Sequence, residues 1–174
     1  MAEYRRVAAG DAGNLAAMPF DGKGDAATAP GGDPIPFAYE FPFLAHATME
    51  PMNCVAQVEN DRCKLTYGAQ VQTLDQQNTA KIAAMPPGAV EIETLFAGGS
   101  FGRRTTPTSD YVVECVHIAK AVGGGRPVKL VWTREDDMSA GRYRPIAYHA
   151  LSVRTDANGL PRVGRHRVVT QSIY

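Results

Sequence analysis

The chain has 174 residues, 44% of them hydrophobic and 21% charged, with 18 basic and 18 acidic side chains. That composition supports a packed globular core, and a formal net charge of zero argues against a general nucleic-acid or anionic-membrane binder, which carries a basic excess. No run reaches the roughly 18 apolar residues of a membrane helix, and no opening segment resembles a signal peptide.

Residues 21–36, DGKGDAATAPGGDPIP, hold four glycines and three prolines. Such a stretch cannot sustain regular backbone hydrogen bonding and reads as a loop or linker, with a short helix conceivable before it over AGDAGNLAAM, residues 9–18. Order is expected from Phe37 onward, so residues 1–36 are assigned to a flexible N-terminal segment and residues 37–174 to a partial domain. NCVAQVEN and RCKLTYGA form a β-hairpin around Asn60 and Asp61. TLDQQNTAKIAAM is a helix stopped by Pro86-Pro87-Gly88, and AVEIETLF is a strand.

The strongest helix signal follows a glycine turn. Tyr111, Cys115, Ile118, Ala119 and Val122 recur on one stripe, with Thr108, Ser109 or Asp110 as cap and Gly123-Gly124-Gly125 as stop. PVKLVWT is a strand, REDDMSAGRYRP a polar connection with at most one helical turn, and IAYHALSVRTD and PRVGRHRVVTQSI two strands flanking an ANGL turn. The fold class is α+β: two main helices against a largely antiparallel sheet. Both ends look cut from something longer.

The cysteines, Cys54, Cys63 and Cys115, have no tight spacing and read as buried thiols. Zinc at Cys54, Cys63 and His46 is the alternative, but it lacks a CxxC pair. His117, His149 and His166 are dispersed and read as structural or solvent-facing.

The stretch with chemical content is LFAGGSFGRRTTPTSD. Strand, glycines and helix together place main-chain N–H groups where they face an anion or oxo group, and glycines let a ligand approach closely. Arg103 and Arg104 have the chemistry to grip phosphate. The letters match neither GxxxxGK[ST] nor GxGxxG, and the bland alternative is a structural turn with two solvated arginines. Phe101, an apolar side chain set between glycines, suggests a wall beside a site.

Four segments in order resemble the molybdenum-binding large subunit of the xanthine dehydrogenase/aldehyde oxidase family, nearest to the isoquinoline 1-oxidoreductase beta branch. They are LAHATMEPMNCVA with His46, Ala47, Met49, Glu50 and Pro51; YGAQVQTLDQQ with Gln70; Gly98-Gly99-Ser100-Phe101-Gly102-Arg103-Arg104; and DYVVECVHIAKAVGGGRPVKLVWTREDDM with GRYRP. The resemblance spans Phe37 to Tyr174. It implies part of a molybdenum hydroxylase that oxidises an aldehyde or N-heteroaromatic substrate. The implied cofactor is molybdopterin, in a cytosine dinucleotide form in many bacterial members, and the implied partners are the remainder of the large subunit and a small iron–sulfur subunit.

Carried over by position, Gln70 would hydrogen-bond an oxygen ligand of the metal or the cofactor, since its amide donates without adding charge. The backbone of Phe101 and Gly102 would lie beside the apical oxo group, with Gly98, Gly99 and Ser100 completing the turn, and Arg103 and Arg104 would serve cofactor phosphate or domain contacts. Glu50 reads as a hydrogen-bond anchor rather than a catalytic carboxylate.

Ser100 replaces the third glycine of the family's run and restricts positive φ there. The positions of the purine-oxidising members' glutamate and arginine fall on Thr105 and Tyr143, the latter between Arg142 and Arg144, which argues against a purine. The family's general base, a glutamate in a GxGE-type segment, is expected outside this chain, so no catalytic residue and no direct metal ligand is assigned here. The chain alone is expected neither to hold the cofactor tightly nor to turn over, and to expose an apolar face through which it self-associates. A stand-alone, non-enzymatic ligand- or partner-binding module is the competing reading. Cytoplasmic and periplasmic locations both fit.

Overall fold

A computed structural model describes all residues except 12, 14–18, 20, 27, 173 and 174. The helix considered over 9–18 rests mostly on residues outside this set; the first helix is instead α1, Ala2–Ala8. The chain divides into two compact units, one from Met1–Leu44 with Arg144–Ile173, the other from Ala45–Tyr143.

The first unit is a three-stranded antiparallel sheet in the order β1 (Ile35–Phe41), β6 (Ala147–Thr155), β7 (Pro161–Thr170). The predicted hairpin around ANGL forms as expected: Asn158 and Leu160 N–H both donate to Asp156 Oδ1, an Asx-type turn. α1 packs on β6 and β7. Arg5 pairs with Glu40, and Arg167 donates to the Ala8 carbonyl at the helix end.

The second unit carries the core. β2 (Asn53–Val58) and β3 (Cys63–Tyr67) form the predicted hairpin, β5 (Val128–Val131) pairs antiparallel with β2, and β4 (Val90–Thr94) pairs parallel with β3. The parallel pairing follows from the connection, because α2 (Gln72–Ala83) carries the chain back across the sheet between β3 and β4. Four of the five strand pairings are antiparallel, so the α+β, largely antiparallel class holds. It is realised as two sheets rather than one.

α3 (Asp110–Val122) lies on β2 and β5. Its buried stripe is Tyr111, Val112, Cys115, Val116 and Ala119, while Ile118 and Val122 stay partly exposed at its edge. The stripe is rotated from the predicted one by about a residue, because the successive pairs 111/112 and 115/116 both face the sheet. Capping comes from Thr106 Oγ1, which accepts from Asp110 N–H at 3.4 Å, and Ser109 supplies its carbonyl to Val113. α2 is anchored by polar contacts as much as by apolar ones. Buried Asp75 accepts from Tyr67 Oη at 2.6 Å, and Asn78 Nδ2 donates to the Pro107 carbonyl at 2.9 Å.

The polar connection after β5 holds a two-turn helix, α4 (Arg134–Ala140), where one turn at most is predicted. Thr133 and Asp136 close a reciprocal capping box that satisfies the first N–H groups. No helix among the described residues is long and apolar enough to cross a membrane.

All three cysteines are reduced and buried, and no group of three or more metal-ligating side chains forms among the described residues. Burial pushes the Cys63 thiol up to about 11; a hydrogen bond with Cys115 and burial push Cys54 up further. The thiolate is the reactive form. Cys115 is shifted the other way by its hydrogen bond with Cys54. All three thiols are at most 1% exposed, so a thiol reagent at pH 8 is expected to label the native chain negligibly and to count three thiols after denaturation. Rapid labelling of a native thiol would show that this interior is not closed.

Candidate functional site

After β4 the chain stays beside β3, with Leu95 N–H donating to the Tyr67 carbonyl at 2.9 Å. Here Gly68 matters: a Cβ on it would lie 2.8 Å from Ala97 Cβ, so only glycine lets the segment bearing Gln70 approach the start of the turn. Arg103 N–H then donates to the Ser100 carbonyl at 2.9 Å, closing a tight turn whose central residues, Phe101 and Gly102, have φ of 53° and 93°. That is the φ signature of a type I′ turn. Gly99 also sits at positive φ, 92°, whereas Ser100 does not. The serine therefore occupies the one place in the run where a side chain costs nothing. The left-handed residue is Phe101, at a cost of roughly 1 kcal/mol.

The turn is clamped from below by Glu50. Its Oε2 accepts from Gly98 N–H at 2.5 Å and from Arg104 Nη2 at 3.0 Å, and its Oε1 accepts from Asn53 Nδ2 at 2.7 Å. Glu50 N–H returns a bond to the Gly98 carbonyl at 3.1 Å. A Cβ on Gly98 would meet Glu50 Cβ at 2.6 Å, so the clamp requires glycine there. Burial works to raise the Glu50 pKa, but the Gly98, Asn53 and Arg104 donors outweigh it and hold the carboxyl below the usual 4.5. This is the anchor role expected for Glu50.

Gln70 lies against the same turn, with Ser100 Oγ donating to its Oε1 at 2.5 Å. Its Nε2 makes no hydrogen bond among the described residues. The replaced glycine therefore supplies an orienting hydroxyl, which sequence reasoning did not anticipate.

The two arginines point inward, each with about 2% of its surface exposed. Arg103 lies 3.0 Å from Asp110 and 3.3 Å from Asp137, with its guanidinium 5.3 Å from the Trp132 ring centre. Gly141, from the GRYRP segment, makes room for it, since a Cβ there would stand 2.8 Å from Arg103 Nε. Arg104 pairs with Glu50, and its Nε and Nη1 are buried without hydrogen-bond partners among the described residues.

The outward side of the turn presents unpaired main-chain donors. The N–H groups of Gly99, Ser100, Phe101 and Gly102 find no acceptor among the described residues. Beside them is the Gln70 amide, and next to Gly99 are the exposed Met49 and Phe101. A Cβ placed on Gly102 would lie 3.9 Å from His46 Nε2, so that imidazole neighbours the turn rather than Cys54 and Cys63. The result is a short run of neutral donors with an apolar rim, suited to an electron-rich oxygen or planar group rather than to a free cation. Asn53, Gly68, Asp110, Asp137 and Gly141 were not legible as site residues. All five sit within the four motif segments, but the groups that Gly68, Asp110, Asp137 and Gly141 serve lie outside their own segments, so no local signal gave those four a role.

A family model described as the molybdopterin cofactor-binding domain matches residues 10–172. The chain is 32% identical over 122 residues to isoquinoline 1-oxidoreductase subunit beta of Brevundimonas diminuta, covering 70% of this chain and 15% of that protein. It is 32% identical over 115 residues to a membrane-bound aldehyde dehydrogenase (pyrroloquinoline-quinone) of Gluconacetobacter polyoxogenes, covering 66% and 14%. Its fold superposes on quinoline 2-oxidoreductase of Pseudomonas putida 86 with a TM-score of 0.60 at 19% identity, covering 81% of this chain and 18% of that one. The chain thus spans about a sixth of the length of these relatives.

Gly98→Ala is expected to destabilise the second unit by about 2 kcal/mol through overlap with Glu50. Glu50→Gln strips Arg104 of its charge partner. For a fully buried pair that costs roughly 3–5 kcal/mol; with Glu50 partly exposed, a loss of about 2 kcal/mol is expected. Because the folded carboxyl titrates below its unfolded value, its contribution is complete above about pH 4.5 and is lost as pH falls further. Thermal unfolding from pH 7 to pH 3 should therefore converge for wild type and Glu50→Gln at the acid end; a constant gap would contradict the clamp.

Proposed function

Because the chain belongs to the molybdopterin cofactor-binding domain family, we propose that it is the part of a molybdenum hydroxylase large subunit that presents the glycine turn and Gln70 to the cofactor. In this reading residues 37–174 carry the cofactor-binding domain and residues 1–36 lead into it. The observation that carries the proposal is the row of four unpaired main-chain donors, Gly99 to Gly102, beside the Gln70 amide.

The donor set fits such a group. Gly99, Phe101 and Gly102 all sit at positive φ, and the N–H groups of residues 99–102 have no acceptor among the described residues. When bound, molybdopterin supplies a two-electron redox centre. The chain's own share is positioning and electrostatics. Gln70, oriented by Ser100, donates from Nε2 without introducing charge, and the Phe101 and Gly102 N–H groups provide fixed dipoles for negative charge developing on an oxygen, as in an oxyanion hole. Arg103 and Arg104 serve the cofactor only indirectly, by holding the turn from beneath, because their guanidinia are buried and engaged by Asp110, Asp137 and Glu50. Met49 and Phe101 give the turn an exposed apolar border.

The substrate class that fits is an aldehyde or a neutral N-heteroaromatic. Thr105 and Tyr143 stand where purine-oxidising members carry charged residues, and the rim is apolar. The names of the isoquinoline- and aldehyde-oxidising relatives support the same class. The pterin carries a cytosine dinucleotide, and the working assembly includes the remainder of a large subunit and an iron–sulfur subunit. The general base belongs to that remainder, so this chain does not turn over alone.

Two measurements test the proposal. Molybdenum analysis of the purified chain is expected to give far less than one metal per chain; a stoichiometric amount would overturn its dependence on the rest of the subunit. Isolated molybdopterin titrated against the chain is expected to bind weakly, and Gln70→Ala to weaken it by roughly 3- to 10-fold, the worth of one hydrogen bond. Equal binding by wild type and Gln70→Ala would remove Gln70 from the site.

A further inference from the structure

The segment that carries Glu50 runs back along the glycine turn. Glu50 accepts the Gly98 N–H and returns its own N–H to the Gly98 carbonyl. One residue earlier, Met49 N lies 3.9 Å from where a Cβ on Gly99 would stand, and His46 Nε2 lies 3.9 Å from the same point on Gly102. Residues 46–50 therefore lie alongside residues 98–102 in the opposite direction, with the Glu50 carboxylate at one end and the His46 imidazole at the other. Between these ends is the row of main-chain N–H groups, Gly99 to Gly102, that has no acceptor among the described residues.

The place of His46 is set by the residues that follow it. Ala47 holds φ of 45°. A side chain with a Cβ resists that left-handed conformation and keeps it only where its surroundings fix it. The fixing contacts come next in the chain. Thr48 is fully buried, and its hydroxyl donates to the Glu50 carbonyl at 2.7 Å. Arg134, the first residue of α4, donates from Nη2 to the Thr48 carbonyl and from Nη1 to Asp137 Oδ2 at 2.9 Å. With the chain pinned on that side, the bend at Ala47 decides where the half-buried His46 falls, and it falls at Gly102.

We propose that His46 is a ligand-contacting residue of the cradle, its Nε2 edge closing the Gly102 end against the oxygen-rich group that the donor row holds. The inference rests on the cofactor-binding reading, because it adds a contact to the same site. The two ends then differ in purpose. Glu50 is taken up by Gly98, Asn53 and Arg104 and fixes the turn from beneath. A second carboxylate at the Gly102 end would repel an electron-rich oxygen, since it only accepts hydrogen bonds; an imidazole has no such charge and presents a polar nitrogen at the edge of a flat ring.

NMR spectra of the chain titrated with isolated molybdopterin test the contact. The amide signals of Gly99 to Gly102 and the ring signals of His46 are expected to shift together along one binding curve. His46→Ala is expected to weaken binding by roughly 3- to 10-fold, with the Gly98 N–H still held by Glu50 and still slow to exchange. His46→Gln, whose amide nitrogen reaches about as far as Nε2, is expected to bind within about twofold of wild type. Shifts at Gly99 to Gly102 that leave the His46 ring unmoved would overturn the contact and keep the cradle, as would equal affinity of wild type and His46→Ala. No shift at Gly99 to Gly102 would overturn the cofactor reading and the His46 contact with it. If His46→Ala does not fold, the ring signals of the wild-type chain remain decisive.

Discussion

The Glu50 carboxylate is the interaction on which the second unit's functional surface depends. It gathers a main-chain N–H from the glycine turn, a buried guanidinium from just beyond that turn, and a side-chain amide from the start of β2. Each donor alone is ordinary. Together they tie a loop that has no regular secondary structure to the edge of a sheet, and they leave the loop's remaining donors pointing away from the clamp. Arg104 pays in desolvation for its position, and the charge of Glu50 is what offsets it.

The rest of the support is distributed among segments remote in sequence. Gly68 lets the Gln70 segment close on Ala97, Gly141 opens the space that Arg103 fills, and Arg103 bridges the start of α3 and α4 through Asp110 and Asp137. The four motif segments that are individually unremarkable as sequence therefore meet in one compact unit. Positive φ at Phe101 fits this picture. A bulky left-handed residue persists where its surroundings hold it, and here the Ser100–Arg103 bond and the clamp on Gly98 do so from both sides.

Much of the fold was legible because local patterns and tertiary packing agree. The 53–67 hairpin, the helix after the glycine turn and the final two strands all follow from periodicity and turn residues. The misses have identifiable causes. α4 is stabilised by a Thr133–Asp136 capping box, with aspartate where glutamate is the stronger signal. The stripe of α3 is shifted because a helix flat on a sheet buries adjacent pairs, which a search for one heptad-like line overlooks. The parallel β3–β4 pairing depends on where α2 returns the chain, which no short window records. At the candidate site, Gln70 and the turn were singled out by motif, whereas Ser100 was read only as a lost glycine. Its hydroxyl bond to Gln70 joins residues thirty positions apart, and Glu50 and Asp137 reach the arginines across fifty-four and thirty-four positions; such pairings are invisible without coordinates.

The most direct test of the donor cradle is amide hydrogen exchange, resolved residue by residue by NMR. Gly98 N–H, held by the Glu50 carboxylate, is expected to exchange slowly, while the N–H groups of Gly99, Ser100, Phe101 and Gly102 exchange at rates near those of an unprotected chain. Fast exchange at Gly98, or protection across Gly99 to Gly102, would mean that the turn is neither clamped nor open in the way its geometry requires.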